Sequence, residues 1–261
     1  MPAPPGPPLL EVCVDSVDDV VVAQSAGADR IELCAALAEG GLTPSPGIVQ
    51  EALVRATVPL HVMVRPRGGD FLYSAAEFGA MLADVAALAK LGVAGIVFGC
   101  LTNDGDVDIE RNSALVAAAD GASTTFHRAF DMAHDPFEAL EAAIACGFDR
   151  ILTSGQAPTA MDGAMRLREL REAAGERIGV IGCGSVRADS IGPLIRLTGL
   201  REFHLGPRRA TRSAMQFHNP HVSIGVRGTD FSHPRLDEAA LRKAILAVRE
   251  SARFPVAAGG E

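Results

Sequence analysis

The chain has 261 residues, 48% of them hydrophobic, and a formal net charge of −8, which is apolar material enough for one full core in the size range of a single α/β barrel. Acidic and basic residues are interspersed along the whole length, which excludes the concentrated basic face that nucleic acid or a membrane surface requires, so the expected ligand is small. No apolar run reaches the roughly 18 residues needed to span a bilayer, and five cysteines with no C-x-x-C pair are the usage expected of reduced thiols in a cytoplasmic protein.

Residues 1–8, Met-Pro-Ala-Pro-Pro-Gly-Pro-Pro, read as a disordered, proline-stiffened leader outside the fold. After Pro8 one unit recurs: a short apolar or β-branched run, a turn rich in Gly, Asp, Ser or Pro, and an alanine-rich helical stretch. The expected strands are Leu9–Asp15, Arg30–Cys34, Leu60–Arg65, Gly95–Leu101, Thr124–Arg128, Arg150–Ser154, Ile178–Gly182 and Glu202–Gly206, each followed by a helical pattern. Gly27, Gly92 and Gly147 stand where a helix stops before the next strand. Eight strand–helix alternations predict an α/β fold, a single (β/α)8 TIM barrel over residues 9–253, with 254–261 as a frayed tail. A doubly wound open sheet is the alternative, and the chain lacks the G-x-G-x-x-G turn after the first strand that would favour it. The last unit is irregular: the segment Pro207–Leu236, carrying His218, His221 and His233, separates the final strand from a helix over Asp237–Arg253. It is expected to be a lid, a subunit contact or an ordered excursion on the barrel's flank.

Strand parity separates two faces. Leu10, Val12 and Val14 oppose Glu11, Cys13 and Asp15; Ile31 and Leu33 oppose Arg30, Glu32 and Cys34; Leu60, Val62 and Val64 oppose His61, Met63 and Arg65. Phe126 opposes Thr125 and His127, and Phe203 and Leu205 oppose Glu202 and His204. The apolar faces must meet the helices, so the polar set points into the barrel. There, unpaired carboxylates would cost several kcal/mol each. One reading is an internal salt-bridge layer in which Arg30 and Arg65 satisfy Glu11, Glu32 and Glu202; the other is a site.

The strand-end loops extend the polar set. Arg65-Pro-Arg-Gly-Gly-Asp-Phe71 looks like an anion clamp built on Arg65, Arg67 and Asp70, or else an Arg–Asp brace of the loop. Thr125-Phe-His-Arg-Ala-Phe-Asp131 offers His127, Arg128 and Asp131 for binding and acid–base work. Ser154 supplies a hydroxyl after strand six, and the turn through Gly182 and Gly184 opens a helix whose first N–H groups suit an anion. Cys13 and Cys34, on adjacent strands and of one parity, are spaced to bridge a soft ion such as Cu(I), with His61 or Met63 as further donors, or else are small buried fillers.

Val12-Cys-Val-Asp-Ser16, Gly27-Ala-Asp-Arg-Ile-Glu-Leu-Cys34, Glu39-Gly-Gly-Leu-Thr-Pro-Ser45, Arg65-Pro-Arg-Gly-Gly-Asp-Phe71, Thr125-Phe-His-Arg-Ala-Phe-Asp-Met132 and Leu152-Thr-Ser-Gly-Gln156 together resemble the CutC copper-homeostasis family, in order from residue 9 to about 225. The resemblance implies a TIM barrel, a cytoplasmic location, homodimers or higher homo-oligomers, and copper handling with Cys13 and Cys34 as the Cu(I) ligands. His204-Leu-Gly-Pro-Arg-Arg209 and Gly182-Cys-Gly-Ser185 depart from the family pattern.

Two functions are carried forward. One is a cytoplasmic copper-homeostasis protein binding Cu(I) through Cys13 and Cys34. The other is a lyase, isomerase or hydrolase acting on a small anionic or phosphorylated substrate at the C-terminal face of the barrel. In it Arg65, Arg67 and Arg128 hold the anion, Glu11 or Glu32 acts with His127 as base and acid, His204 and Asp131 complete the candidate catalytic set, and Asp70 and Asp131 orient the loops. Five carboxylates, Glu11, Asp15, Glu32, Asp70 and Asp131, exceed what soft Cu(I) can use.

Overall fold

The computed structural model describes residues 7–219, 221–224 and 231–253; most of the expected leader and the expected 254–261 tail lie outside them. Eight parallel strands close into a barrel in sequential order: β1 (Leu9–Val14), β2 (Arg30–Leu33), β3 (Leu60–Met63), β4 (Gly95–Phe98), β5 (Ser123–Phe126), β6 (Arg150–Thr153), β7 (Gly179–Gly182) and β8 (Glu202–Leu205). Between and after them run α1 (Val17–Ala26), α2 (Pro46–Arg55), α3 (Ala75–Leu91), α4 (Ile109–Ala118), α5 (Pro136–Cys146), α6 (Ala164–Ala174), α7 (Ala188–Thr198) and α8 (Glu238–Arg253). The predicted (β/α)8 architecture is the observed one. Among the described residues no helix is long and apolar enough to cross a membrane.

The strands end one to three residues before the sequence pattern predicts at every C-terminus but that of β7, because polarity alternation continues past the last ladder bond into the loops. The predicted helix stops hold: Gly27, Gly92 and Gly147 cap α1, α3 and α5 in the left-handed region, where a side chain would be strained. The final helix starts one residue later than expected, since Asp237 stays outside as a cap accepting the Ala240 N–H at 3.0 Å.

The parity assignment also holds. Leu10, Val12, Ile31, Leu33, Val62, Phe126 and Phe203 belong to the large cluster under the helices. The interior carries two small apolar clusters, Cys34–Met63–Val97 and Leu152–Ile181–Cys183. Register aligns Glu11 with Arg30 and His204, Cys13 with Glu32, and Glu32 with His61, so the polar side chains share the inside.

The irregular last unit is an arm that the sequence pattern does not predict. β9 (Arg208–Arg212) and β10 (Ser232–Leu236) pair antiparallel. Its base is fastened to α1 through buried Asp19, which accepts from Arg235 Nε at 3.0 Å and from the Leu236 N–H at 3.2 Å. His218 stacks on Phe231 with centroids 3.8 Å apart, while Met215, Phe217 and Val222 are exposed.

Candidate functional site

Toward the N-terminal end of the barrel the charges are paired. Arg30 donates through Nε to Glu11 and through Nη2 to Glu202 at 2.7 Å, and Glu202 also accepts from Arg150 Nε at 3.1 Å. This confirms the salt-bridge layer for Glu11 and Glu202, but Arg65 takes no part in it. The chain is interdependent: deleting one partner of a buried pair costs about 3–5 kcal/mol because its mate stays buried and unpaired.

One layer nearer the C-terminal mouth, Glu11 hands the network to a second cluster. His204 Nδ1 lies 2.7 Å from Glu11 Oε1, and its Nε2 faces Glu32 Oε2 at 3.9 Å. Cys13, Glu32 and His204 each place a ligand atom within 4.8 Å of the other two. Cys34 stands beside this triplet, its thiol donating to Glu32 Oε2 at 3.3 Å. The Cys13 sulfur has room only because residue 206 is glycine: a Cβ there would sit 2.4 Å from it.

The electrostatics follow from these contacts. Burial alone would raise the Glu11 carboxyl, but the His204 hydrogen bond and the Arg30 charge hold it well below the usual carboxylate range. Glu32, buried and without an arginine of its own, is raised. Burial opposes charge on His204, yet Cys13, Glu32 and Glu11 outweigh it and raise its pKa well above the usual value, which favours the imidazolium. Burial also raises the Cys34 thiol, with the neighbouring Glu32 charge adding to it.

The cluster forms one wall of a cavity of about 140 Å³ at the centre of the barrel mouth. Arg65, His127 and Arg128 form the other, with Phe71 and Met63 between. His127 is wholly buried; its Nδ1 accepts the Ala129 N–H at 3.2 Å and its Nε2 has no partner. Accepting at Nδ1 places the ring proton on Nε2. Burial and the nearby Arg65 charge depress its pKa to about 3, so it is a neutral donor. Phe71 packs 4.8 Å from the His127 ring and lies under Arg65, with the guanidinium carbon 5.0 Å from its centroid.

Several expected ligand groups are placed elsewhere. Arg65 lines the cavity, but its Nη atoms donate to the backbone carbonyls of Glu39, Gly41 and Gly69, so it cannot act as an open fork. Arg67 and Asp70 form the loop brace that was the alternative reading: Arg67 donates to Asp70 at 3.0 Å and to Glu77 at 2.8 Å, outside the cavity. Asp131 accepts from Thr153, Ser154, Gln156 and Arg128, knotting the loops after β5 and β6. Ser154 belongs to the same knot, through Asp131 and the Ala157 carbonyl. Gly182 faces outward against Leu200 and Phe203. Asp15 pairs with Arg208. His61, expected as a further metal donor, lies 3.9 Å from Glu11 in the lower layer with Nδ1 unpartnered. Of the five carboxylates expected at the site, only Glu11 and Glu32 face this interior. Gly206 and Phe71 shape the site without belonging to the expected set; their signals in the sequence are a glycine beside the last strand's histidine and an aromatic at the end of the Arg-rich loop.

A second cavity, of about 640 Å³, opens where the loops after β7 and β8 meet α8. Gly184 and Lys243 line it, and His204 borders both cavities.

A parallel eight-stranded barrel with a thiol, a carboxyl and an imidazole gathered at its C-terminal mouth defines a TIM-barrel protein with a compact, metal-capable cavity. The chain belongs to the CutC family, whose profile matches residues 8–208. It is similar to a family protein CutC from Mesorhizobium japonicum, at 54% identity over 84% of each chain. It is also similar to the human copper homeostasis protein cutC homolog, at 47% identity over 84% of this chain and 80% of that one. The crystal structure of CutC from Streptococcus agalactiae superposes with a TM-score of 0.72 and 32% identity, covering 76% of this chain and 97% of that one.

Proposed function

We propose that this copper-homeostasis family member carries Cu(I) as cargo in the cytoplasm, as a dimer or higher homo-oligomer, with Cys13 as the anchoring thiolate. The reading rests on one observation: the Cys13, Glu32 and His204 donors lie within 4.8 Å of one another with the Cys34 thiol hydrogen-bonded to the same Glu32. Thiolates suit soft Cu(I), imidazole is an acceptable further donor, and carboxylate is a poor one. Cys34 then supplies the second thiolate while Glu32, which already accepts its S–H, takes the proton rather than the metal. His204 Nε2 is the third donor once its proton leaves. Free cysteines at all five positions are compatible with a reducing compartment. Copper K-edge absorption on the Cu(I)-loaded protein tests the donor set. A sulfur-dominated shell that loses a sulfur in Cys13→Ser is expected, and a nitrogen–oxygen shell contradicts it.

A second reading, a lyase, isomerase or hydrolase acting on a small anion, draws support from the other wall of the cavity, whose donors a lone soft cation does not use.

A further inference from the structure

Three buried polar atoms on residues that line the cavity carry no hydrogen bond, and two of them are complementary in role: His127 Nε2, a donor, and Glu32 Oε1, an acceptor. Both side chains are at least nine-tenths buried. Arg65 Nε is the third. A buried polar atom left without a partner costs about 1–3 kcal/mol, so two on residues lining one small space point to an occupant that satisfies both. On the His127 side the occupant meets positive charge, from the pinned Arg65 guanidinium and from Arg128 at the rim, whose side chain is 49% exposed. On the Glu32 side it meets an acceptor oxygen, since Oε2 is taken by the Cys34 thiol. A volume of about 140 Å³ is well under the roughly 300 Å³ at which drug-sized ligand sites begin, and limits the occupant to a few heavy atoms.

We propose that the cavity is a subsite for a small hydroxycarboxylate, its carboxylate held by His127 Nε2–H and Arg128 and its hydroxyl donating to Glu32 Oε1. The inference needs neither copper nor turnover; it spans the cavity from His127 and Arg128 to Glu32 of the Cys13 cluster and stands or falls on metal-free protein. Three probes of similar size separate the two contacts: glycolate carries both groups, acetate only the carboxylate, and ethylene glycol only hydroxyls.

The test is calorimetric or NMR titration of chelator-treated full-length protein with each probe. Glycolate is expected to bind most tightly, acetate about tenfold more weakly, and ethylene glycol not measurably. His127→Phe and Arg128→Ala should each weaken both carboxylates about tenfold, and Glu32→Gln should weaken the preference of glycolate over acetate. Arg128→Ala alters a half-exposed side chain and keeps the test decisive where His127→Phe fails to fold, as thermal melting reports. Failure of glycolate to bind the native protein, equal binding of glycolate and ethylene glycol, or glycolate affinity unchanged in Arg128→Ala overturns the proposal. Cu(I) affinity measured on the same native sample fails or survives separately.

Discussion

A Cβ at position 206 would stand 2.4 Å from the Cys13 sulfur and 3.0 Å from the Cys13 carbonyl oxygen. Gly206→Ala therefore displaces the thiol from Glu32 and His204 at an overpacking cost of about 1–3 kcal/mol. The expected result is a folded protein whose Cu(I) affinity falls about tenfold or more, measured by chelator competition beside a thermal melt. Unchanged affinity would mean that Cys13 does not hold the ion. His204 supplies a second residue-scale test. Its imidazolium is stabilised by Cys13, Glu32 and Glu11, and Nε2 can bind metal only after losing its proton. Copper uptake should therefore release at least one proton and tighten as pH rises, by up to about tenfold per unit for each proton released. Glu11→Gln removes the charge that helps hold that proton, so its affinity should depend less on pH. A pH-independent affinity in the native protein would exclude His204 as a ligand.

At the scale of elements, the arm formed by β9 and β10 is tied down chiefly by one buried carboxylate, with Asp15 on Arg208 and Asp18 on Arg235 beside it. Asp19 receives Arg235, the Leu236 N–H and, at 3.5 Å, Arg208. Asp19→Ala should cost about 2–4 kcal/mol, less than for a wholly buried pair because Arg235 reaches solvent, and should release the arm. Limited proteolysis checks this: faster cleavage between residues 213 and 231 with the barrel intact is expected, and an unchanged cleavage rate would mean that other contacts hold the arm. This arm was the least legible element, since its strands are short, arginine-rich and lack the apolar alternation that marks a strand. The barrel strands were legible to within three residues because one face of each is uniformly apolar. Site legibility followed the same division. Strand parity places Glu11, Cys13, Glu32 and His204 together, as register carries them into one space. Loop residues obey no such parity, and Arg67, Asp70, Asp131 and Ser154 fold back on their own loops rather than toward a ligand.

For the whole molecule, buried histidines set the pH range of stability. Burial holds His61 at about 4 and His127 at about 3, against 6.5 for a free histidine. Between those values the unfolded chain binds protons that the folded chain refuses, so stability falls as pH drops below about 6.5. Each histidine contributes up to about 1.4 kcal/mol per pH unit. Glu32, raised in the fold, offsets part of this below neutrality. His204 acts on the other side: its folded pKa is raised, so its contribution is complete below 6.5 and is lost as pH climbs through the folded value. Denaturant unfolding across pH 5–8 should show greatest stability near 6.5, with the acid limb flattened in His61→Gln. Stability that increases from pH 6.5 to 5 would contradict this balance.

If Cys13 anchors Cu(I) at the mouth of the barrel, loss of that one thiol should release the ion. The most direct measurement is an anaerobic Cu(I) titration against a competing chelator, comparing the native protein with Cys13→Ser, Cys34→Ser and Glu32→Gln. The native protein should hold one ion tightly; it should be lost in Cys13→Ser, weakened in Cys34→Ser, and weakened no further than that in Glu32→Gln, where only the group that takes the Cys34 proton is removed. Tight binding that survives Cys13→Ser would contradict it.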